Sequence, residues 1–523
     1  MISTKEILAK AKGLSQKDEA LVCDAYAFAQ KAHDGSRRYS GEPYLSHPAA
    51  IALRLADMGL GATTIAAGLL HDVIEDTNTT AEEIQKQFGD EILFLVEGVT
   101  KLGHHRYHGA QRHAESLRRL LVATAADIRV LIIKLADRYH NMETLQYVPS
   151  HKRKRIALET VEIFAPLADR LGMGLLKRDL EDLAFPFIDT DAYKHTNTLR
   201  QLNKKETERG LERIRKIVRK ELVKKDFSNF YTSIRIKGLW SLHKKLQRKH
   251  DDITLIHDIA ALRIIVPAIN DCYMVIGAIH SLWKPLPGEF KDYIALPKPN
   301  GYQSIHTTVL THDAGIVEIQ VRTKEMHEHA QFGIASNVSY KQLGNNASKI
   351  SSERFSFSWV RELIPSLLGV TKKETGVLIT EKKPDASLTP PWLTELVHAQ
   401  KTVTSTDEFI SGLREDFFSH RVFVFTPHGD VVDLPIDSTP VDFAYAIHTD
   451  IGNHMRGARV NKKLASFNSA LKNGDVVEIM TQKNAYPTQK WVDYARTSFA
   501  RKHIRTALSE KEPVVIIKKT KRR

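Results

Sequence analysis

Residues 64–70 form an apolar, Ala/Leu-rich run that reads as a buried helix. They give way without a spacer to His71-Asp72-Val73-Ile74-Glu75-Asp76-Thr77. If the helix continues, His71 and Glu75 share one face, and Asp72 and Asp76 share the next. Carboxylates beside an imidazole are costly to bury unless a cation or a phosphate ligand compensates them. An adjacent His-Asp pair suits a divalent metal such as Mn or Fe. The chain around this stretch must therefore fold so that further groups meet these charges.

Two such sets are present. Ser46-His47-Pro48 precedes Ile51, Leu53, Leu55 and Met58 at helical spacing. Ser46 is expected to cap that helix, with Pro48 in its first turn and His47 at its start. Asp137, Arg138, Asn141 and Thr144 follow the apolar run at 131–136, and positions 137, 141 and 144 fall on one helical face. Three helices can thus converge His47, His71, Asp72 and Asp137 on one metal. The result is a mixed nitrogen/oxygen site with room for water, unlike a closed Cys-rich zinc site. Arg38 lies nearby in sequence and can hold a phosphate as a planar fork. The His-rich loop at 104–113 lacks apolar helical spacing and reads as a solvated loop near the site mouth.

Strand signals are nearly absent over residues 1–195, which read as an all-helical domain. With 523 residues in all, the chain has length for about three or four domains. Hydrophobic content of 42% and charged content of 26% fit a soluble globular protein. No apolar run approaches a membrane span, and the polar start shows no signal peptide. Cys23 and Cys272 lie far apart, which gives no disulfide framework and fits a reducing cytoplasm. A net charge of +14 favours polyanionic partners such as nucleotides or RNA.

Residues 196–345 read as an α/β domain. Leu199, Leu202, Leu211, Ile214, Val218 and Leu222 mark a long basic amphipathic helix that links two domains. Strands are expected at 230–236, 261–266, 305–310 and 316–321, and helices at 239–248, 271–283 and 324–342, which makes a mixed sheet with helices on it. Arg235, Lys237, Ser241 and Lys245 leave a strand and enter a helix, where cations and backbone N–H groups can cradle phosphates. Asp258 precedes the strand that holds Arg263. Glu318, Gln320 and Arg322 alternate on one face of a hairpin. Two carboxylates on separate strands facing a basic set suit Mg²⁺ bridging a triphosphate. Lys291-Asp292-Tyr293 and Lys298-Pro299-Asn300-Gly301-Tyr302-Gln303-Ser304 read as a polar loop, with Tyr302 able to stack on a purine.

Residues 346–420 read as a helical or disordered connector. Residues 421–485 show a hairpin, a helix starting at Ser438-Thr439-Pro440, and two further strands. This ββαββ order is that of a ubiquitin-like β-grasp. His448 follows the helix and is expected to be exposed. Residues 486–523 form a helical and basic tail.

Residues 20–505 resemble the RelA/SpoT family of long alarmone synthetase/hydrolases. The resemblance rests on 71–77, on Lys134-Leu135-Ala136-Asp137-Arg138-Tyr139-His140-Asn141-Met142 and on Phe290-Lys291-Asp292-Tyr293-Ile294-Ala295. It rests also on Tyr302-Gln303-Ser304-Ile305-His306-Thr307-Thr308, on Val317-Glu318-Ile319-Gln320-Val321-Arg322-Thr323, and on the TGS-like stretch at 439–445. The resemblance implies a multidomain protein with an all-α HD-type hydrolase, an α/β nucleotidyltransferase-like synthetase and a β-grasp TGS module. The hydrolase would remove the 3′-pyrophosphate of (p)ppGpp. The synthetase would move pyrophosphate from ATP to the 3′-hydroxyl of GDP or GTP. His47, His71, Asp72 and Asp137 would hold Mn²⁺, and Glu75 and Asp76 would orient and deprotonate water. Arg38, Asn141 and Thr144 would bind the guanosine nucleotide. Arg235 and Arg263 would sandwich adenine, while Lys237, Ser241 and Lys245 would hold the ATP phosphates. Asp258 and Glu318 would bind Mg²⁺, with Glu318 also a base. Tyr302 would stack on guanine, with Lys291, Tyr293, Lys298, Asn300, Gln303, His306 and Gln320 also lining the substrate. Uncharged tRNA and the ribosome are the expected partners of the TGS module, through His448.

Three positions depart from the family pattern. Gly238 stands where His is usual, Glu289 where Arg is usual, and Asn337-Val338 where His-Trp is common. They leave open a hydrolase whose synthetase half is weak or regulatory. The basic charge and the TGS-like module leave open an RNA- or ribosome-binding regulator.

Overall fold

The computed structural model describes residues 2–100, 120–336 and 421–511, apart from positions 12, 121, 122, 125, 257, 299, 313, 429, 430 and 473. The His-rich loop, the connector, Asn337-Val338 and the basic end of the tail lie outside the described residues. The chain divides into two units, residues 1–397 and 398–523. Among the described residues no helix is long and apolar enough to cross a membrane.

The first unit starts as a helical assembly around Ala62–Leu70, whose residues 64–70 are all buried. That helix packs against Gln16–Ala32, Ser46–Asp57, Asp90–Val99 and Arg129–Glu143. Such enclosure needs a helix without a polar face, which is what the Ala/Leu run supplies. Gly68 allows the closest approach, because a Cβ there would lie 2.5 Å from Leu55 Cδ1. Two expectations need correction. The helix does not run on through 71–77. It breaks at His71 and Asp72 and restarts as the single turn Val73–Asp76. Ser46 is not a cap but the first helical residue, and Leu45 precedes it with no side-chain cap.

Helix Gly174–Ile188 leads to the 35-residue helix Thr190–Lys224, whose first turn is capped by Asp189 accepting from Ala192 N–H at 2.9 Å. Leu211, Ile214, Val218 and Leu222 of the long helix are buried in the core beneath the sheet, as their spacing suggests. Leu202 is 74% exposed and takes no part.

Five strands form one sheet: β1 (Tyr231–Ile236), β2 (Ala260–Val266), β3 (Pro285–Asp292), β4 (Ile305–Thr311) and β5 (Gly315–Thr323). Their order is β1-β2-β5-β4-β3, with β2 and β5 parallel and the other pairs antiparallel. Register separates the two faces. Arg235 lies opposite Ala261, and Ala261 opposite Glu318. Arg263 lies opposite Gln320, Gln320 opposite His306, and His306 opposite Lys291. Period-two alternation puts these polar residues on one face and Leu262, Ile264, Ile305, Val309, Val317, Ile319 and Val321 in the core beneath. The segment read as a loop around Lys291 is instead the end of β3. Pro287 and Gly288 hid it, and a register shift between Pro285 and Phe290 absorbs them at the sheet edge. Helices Leu239–Arg248, Ile269–Leu282 and Lys324–Phe332 complete this part.

The second unit has β6 (Arg421–Phe425), β7 (Val431–Pro435), helices Pro440–Ile447 and Thr449–Asn453, β8 (Met455–Val460), β9 (Lys463–Ala465) and β10 (Val477–Thr481). The β6–β7 hairpin meets the β10-β8-β9 sheet through a parallel bridge between Phe425 and Val476. This parallel junction of first and last strands makes the β-grasp, closed over Val422, Val424, Leu434, Phe443 and Val477. The second helix and β9 add to the expected ββαββ order. Helices Gln489–Tyr494 and Ser498–Lys511 follow.

Leu70→Ala, at a fully buried position, should destabilise the chain by about 2–5 kcal/mol. Leu202→Ala should change stability by less than about 0.5 kcal/mol. Urea unfolding followed by far-UV circular dichroism checks both, and equal shifts would contradict the packing described.

Candidate active sites

The break in the helix after Leu70 turns His71 inward from the C-terminal end of an apolar rod. His47 comes from the first turn of Ser46–Asp57, and Asp137 from the middle of Arg129–Glu143. Ligand atoms of His47, His71 and Asp137 all lie within 4.8 Å of one another, and all three residues are buried. Asp72 joins them. Its Oδ1 is 3.1 Å from His71 Nε2 and its Oδ2 is 3.4 Å from His47 Nε2. The four residues expected to converge do so.

These atoms fit a divalent cation. His71 Nδ1 lies 2.9 Å from the Gly68 carbonyl oxygen, which can only accept, so the proton sits on Nδ1. Nε2, buried and without a hydrogen-bond partner among the described residues, therefore faces carboxylate oxygens, and although burial would lower the His71 pKa, the Asp72 carboxylate raises it. An unprotonated Nε2 and the carboxylate oxygens repel one another, and a proton or a metal cation between them removes the repulsion. Two nitrogens and two carboxylates form a borderline donor set. Burial alone would raise Asp137. Lys134 Nζ, 2.8 Å from its Oδ2, and the two histidines outweigh burial and hold the carboxyl well below the usual range.

Around the cluster are groups that sequence reading did not single out. Tyr44 Oη is 2.9 Å from Asp72 Oδ2 and also touches Asp76 Oδ2, so it spans an inner carboxylate and an outer one. His33 stacks on Tyr44 with centroids 4.5 Å apart. Lys134 and His140 flank Asp137 three residues to either side on one helix, and that spacing was their available signal. Burial, His47 and Arg38 push His140 down to about 3, so it is neutral at physiological pH. Arg38 sits in a tight turn closed by its N–H to the Glu42 carbonyl at 3.0 Å, with Gly41 at φ 84°. From there Nη1 reaches His140 Nδ1 at 2.9 Å and Nη2 donates to Asn141 Oδ1 at 2.8 Å. Asn141 in turn donates to Asp137 Oδ1. Glu75 and Asp76 are exposed at the rim of the site. Thr144 caps its own helix end, its hydroxyl donating to the His140 carbonyl at 3.0 Å.

The polar face of the sheet carries a second constellation. Asp258 Oδ2 accepts from Lys237 Nζ at 2.5 Å and is also met by Lys245. Burial pushes Lys237 down to about 8, against the pull of Asp258. Glu318 Oε1 is 3.1 Å from His306 Nδ1 and accepts from Gln320 Nε2 at 3.1 Å. Burial would raise Glu318, but these two contacts lower it, so it is ionised at neutral pH. Tyr302 Oη lies 2.8 Å from His306 Nε2, completing a Tyr–His–Glu chain. Burial and the guanidinium groups of Arg322 and Arg235 push Arg263 down to about 10. Tyr293 and Tyr302 stand with centroids 6.1 Å apart, with Lys298 Nζ 4.7 and 5.3 Å from their rings. Asn300 Nδ2 donates to the Asp169 carbonyl at 2.9 Å, and Gln303 reaches the Ile294 carbonyl at 3.4 Å. Lys291 pairs with Glu289 at 3.3 Å.

One expectation fails here. At the start of helix Leu239–Arg248 the N–H groups of Leu239 and Trp240 are taken by a carboxylate rather than left free for a phosphate. Asp182, from helix Gly174–Ile188, accepts from Trp240 N–H at 3.0 Å. Ser241 Oγ points to Glu181 Oε2 at 3.4 Å. The helix has no cap of its own, so a distant carboxylate takes that place. Gly238 permits the approach, because a Cβ there would lie 2.9 Å from Arg178 Cγ and 3.0 Å from Asp182 Oδ1. In the second unit His448 is exposed, and its Nδ1 accepts from Asp450 N–H at 3.1 Å, capping a short helix.

Residues 25–174 match the HD domain, residues 234–345 the region found in RelA / SpoT proteins, and residues 422–481 the TGS domain. Over 488 residues the chain is 43% identical to a probable guanosine-3′,5′-bis(diphosphate) 3′-pyrophosphohydrolase of Synechocystis, covering 93% of this chain and 60% of that protein. It is 43% identical over 489 residues to the guanosine-3′,5′-bis(diphosphate) 3′-pyrophosphohydrolase of Aquifex aeolicus, covering 93% and 64%. It is 39% identical over 499 residues to a GTP pyrophosphokinase of Myxococcus xanthus, covering 95% and 61%. The chain thus spans less than two thirds of the length of these curated relatives.

His327, beside the sheet site, gives a pH prediction. Its Nδ1 lies 2.9 Å from Arg322 Nη2, and burial, Arg322 and Arg263 push it down to about 4. In the unfolded chain it protonates near about 6.5. The unfolded state therefore binds more protons between these values. The contribution is present above about pH 6.5 and is lost as pH falls towards 4. His327→Gln should show a smaller drop in urea midpoint between pH 7 and pH 4.5 than the parent. An equal drop would contradict the assignment.

Proposed function

The chain belongs to the RelA/SpoT family, and from that premise we propose that it is a bifunctional alarmone enzyme. The helical site would hydrolyse the 3′-pyrophosphate of (p)ppGpp, releasing GDP or GTP and pyrophosphate. The sheet site would transfer pyrophosphate from ATP to the 3′-hydroxyl of GDP or GTP. The observation that carries this reading is the presence of two separate polar constellations in one unit, one built on nitrogen and oxygen ligands, the other on carboxylates among cations.

In the helical site His47, His71, Asp72 and Asp137 would hold a divalent cation, read here as Mn²⁺ from the donor set. When bound, the cation supplies Lewis-acid polarisation of water and of the phosphoryl oxygens. Asp76, steadied by Tyr44, and Glu75 at the rim would orient water and take its proton. Arg38, held flat by His140 and Asn141, presents a guanidinium fork that suits a phosphate group.

In the sheet site Glu318 is the group able to accept the proton of the 3′-hydroxyl. It is ionised and held by donors from His306 and Gln320. Arg235, Arg263 and Arg322 form a cationic platform for ATP, and Tyr302 is the aromatic face for guanine. Asp258 and Glu318 form an all-oxygen pair suited to a hard cation, read as Mg²⁺, with phosphate oxygens completing it. Lys237 and Lys245 would have to leave Asp258 for the phosphates. One observation favours the weaker-synthetase reading, namely that Asp182 and Glu181 hold the start of the helix where phosphate would sit.

Nucleotide chromatography after incubation with ppGpp and Mn²⁺, and separately with ATP, GDP and Mg²⁺, tests both halves. Asp72→Ala should lower breakdown by at least about 100-fold while leaving synthesis in place. Asp258→Ala should do the reverse. If Asp72→Ala, folded by circular dichroism, makes no ppGpp, the bifunctional reading gives way to a hydrolase with a regulatory synthetase half.

A further inference from the structure

His140 Nδ1 is approached by two groups at once. Arg38 Nη1 lies 2.9 Å away and His47 Nδ1 also lies 2.9 Å away. A guanidinium nitrogen can only donate, so His140 Nδ1 carries no proton and acts as acceptor. The second contact then has one arrangement: His47 donates from Nδ1. A histidine that ligates a metal is neutral and has a single N–H, so as a ligand His47 would offer the lone pair of Nε2. That is the atom turned to the carboxylates, 3.4 Å from Asp72 Oδ2 and 3.4 Å from Asp137 Oδ1. The donor-only arginine fixes the tautomer of one histidine, and that histidine fixes the tautomer of the next.

We infer that His140 is a positioning residue, which presents His47 Nε2 to the divalent cation and ties that ligand to the phosphate-binding Arg38. The inference rests on the hydrolase reading above. The tie closes on itself. The other arm of Arg38 donates to Asn141 Oδ1 at 2.8 Å, and Asn141 donates to Asp137 Oδ1, a second cation-facing atom. Arg38 is therefore held between two ligands of one site. A change that frees His47 to take the wrong tautomer weakens cation binding and at the same time loosens the fork that meets substrate. A residue that only filled space between the rings, whose centroids are 5.0 Å apart, would affect stability without this link.

The test is a calorimetric titration of the chelator-treated full chain with Mn²⁺. His140→Phe keeps the ring and removes the acceptor, and should weaken Mn²⁺ binding by about 10–100-fold, as loss of an outer partner of a ligating histidine does. His140→Asn should restore binding to within a few-fold of the parent, because its Oδ1 stands where Nδ1 stood. His140→Gln, equally polar but with its oxygen one bond further out, should remain weak. The KM for ppGpp should rise along with the loss of Mn²⁺ affinity. Unchanged Mn²⁺ affinity in His140→Phe, with hydrolysis intact in the parent, would overturn this inference alone. So would equal weakness of the Asn and Gln variants. If His140→Phe fails to fold by circular dichroism, the Asn and Gln comparison decides. A parent chain that binds no Mn²⁺ and leaves ppGpp intact would overturn the hydrolase reading, and this inference with it.

Discussion

Two imidazole nitrogens and two carboxylates face one another inside an apolar helical core, and the rest of the helical part is arranged around that fact. Isolated buried charges are costly, and removing one partner of a buried set leaves the others uncompensated. Lys134 answers one carboxylate oxygen of Asp137 at 2.8 Å, and the Gly68 carbonyl fixes the His71 proton. Neither supplies a positive charge between the four inward-facing atoms. Helix Ala62–Leu70 can be apolar on all sides because its polar cargo is concentrated at its end, where the chain breaks and turns His71 inward. The Gly68 contact with Leu55 brings the His47 helix close enough to share the site.

The sheet solves a related problem by separating its faces rather than its ends. Aliphatic residues on β2, β4 and β5 bury one face against the long helix and its neighbours. The other face keeps Arg235, Arg263, Glu318, Gln320 and Arg322 together. There the guanidinium groups depress one another, and Glu318 is held ionised by His306 and Gln320. A face richer in cations than in carboxylates suits a polyphosphate. Asp182 and Glu181 reach the start of helix Leu239–Arg248 from helix Gly174–Ile188 of the neighbouring helical region.

The four inward-facing residues were legible because each lies where an apolar helix begins, ends or turns polar; period 3.6 fixes the direction of Asp137, whereas the break after Leu70 sets that of His71 and Asp72. Glu318, Gln320 and Arg322 were legible through the period of two. What escaped was set by contacts distant in sequence or by breaks in period. Tyr44 sits in a turn whose direction no periodicity specifies, and the partners of Arg38, which the sequence did single out, could not be read there. His140 was in plain view, but its partners lie 93 and 102 residues away. The cap on helix Leu239–Arg248 comes from 58 residues upstream, so its N–H groups looked free. Strand β3 was hidden by Pro287 and Gly288, which an edge strand tolerates and a central one does not. The helix break at His71 carries no Pro or Gly, since the buried polar cluster itself takes the place of a stop signal.

The central claim is that the buried His47, His71, Asp72 and Asp137 are arranged for one divalent cation. Anomalous X-ray scattering at the manganese edge from crystals of the full chain grown with Mn²⁺ tests it most directly. The account predicts a peak within bonding distance of the Nε2 atoms of His47 and His71 and of an oxygen of each carboxylate, at about 2.0–2.3 Å. The absence of a peak among these four residues, in crystals where Mn²⁺ is bound elsewhere, would contradict it.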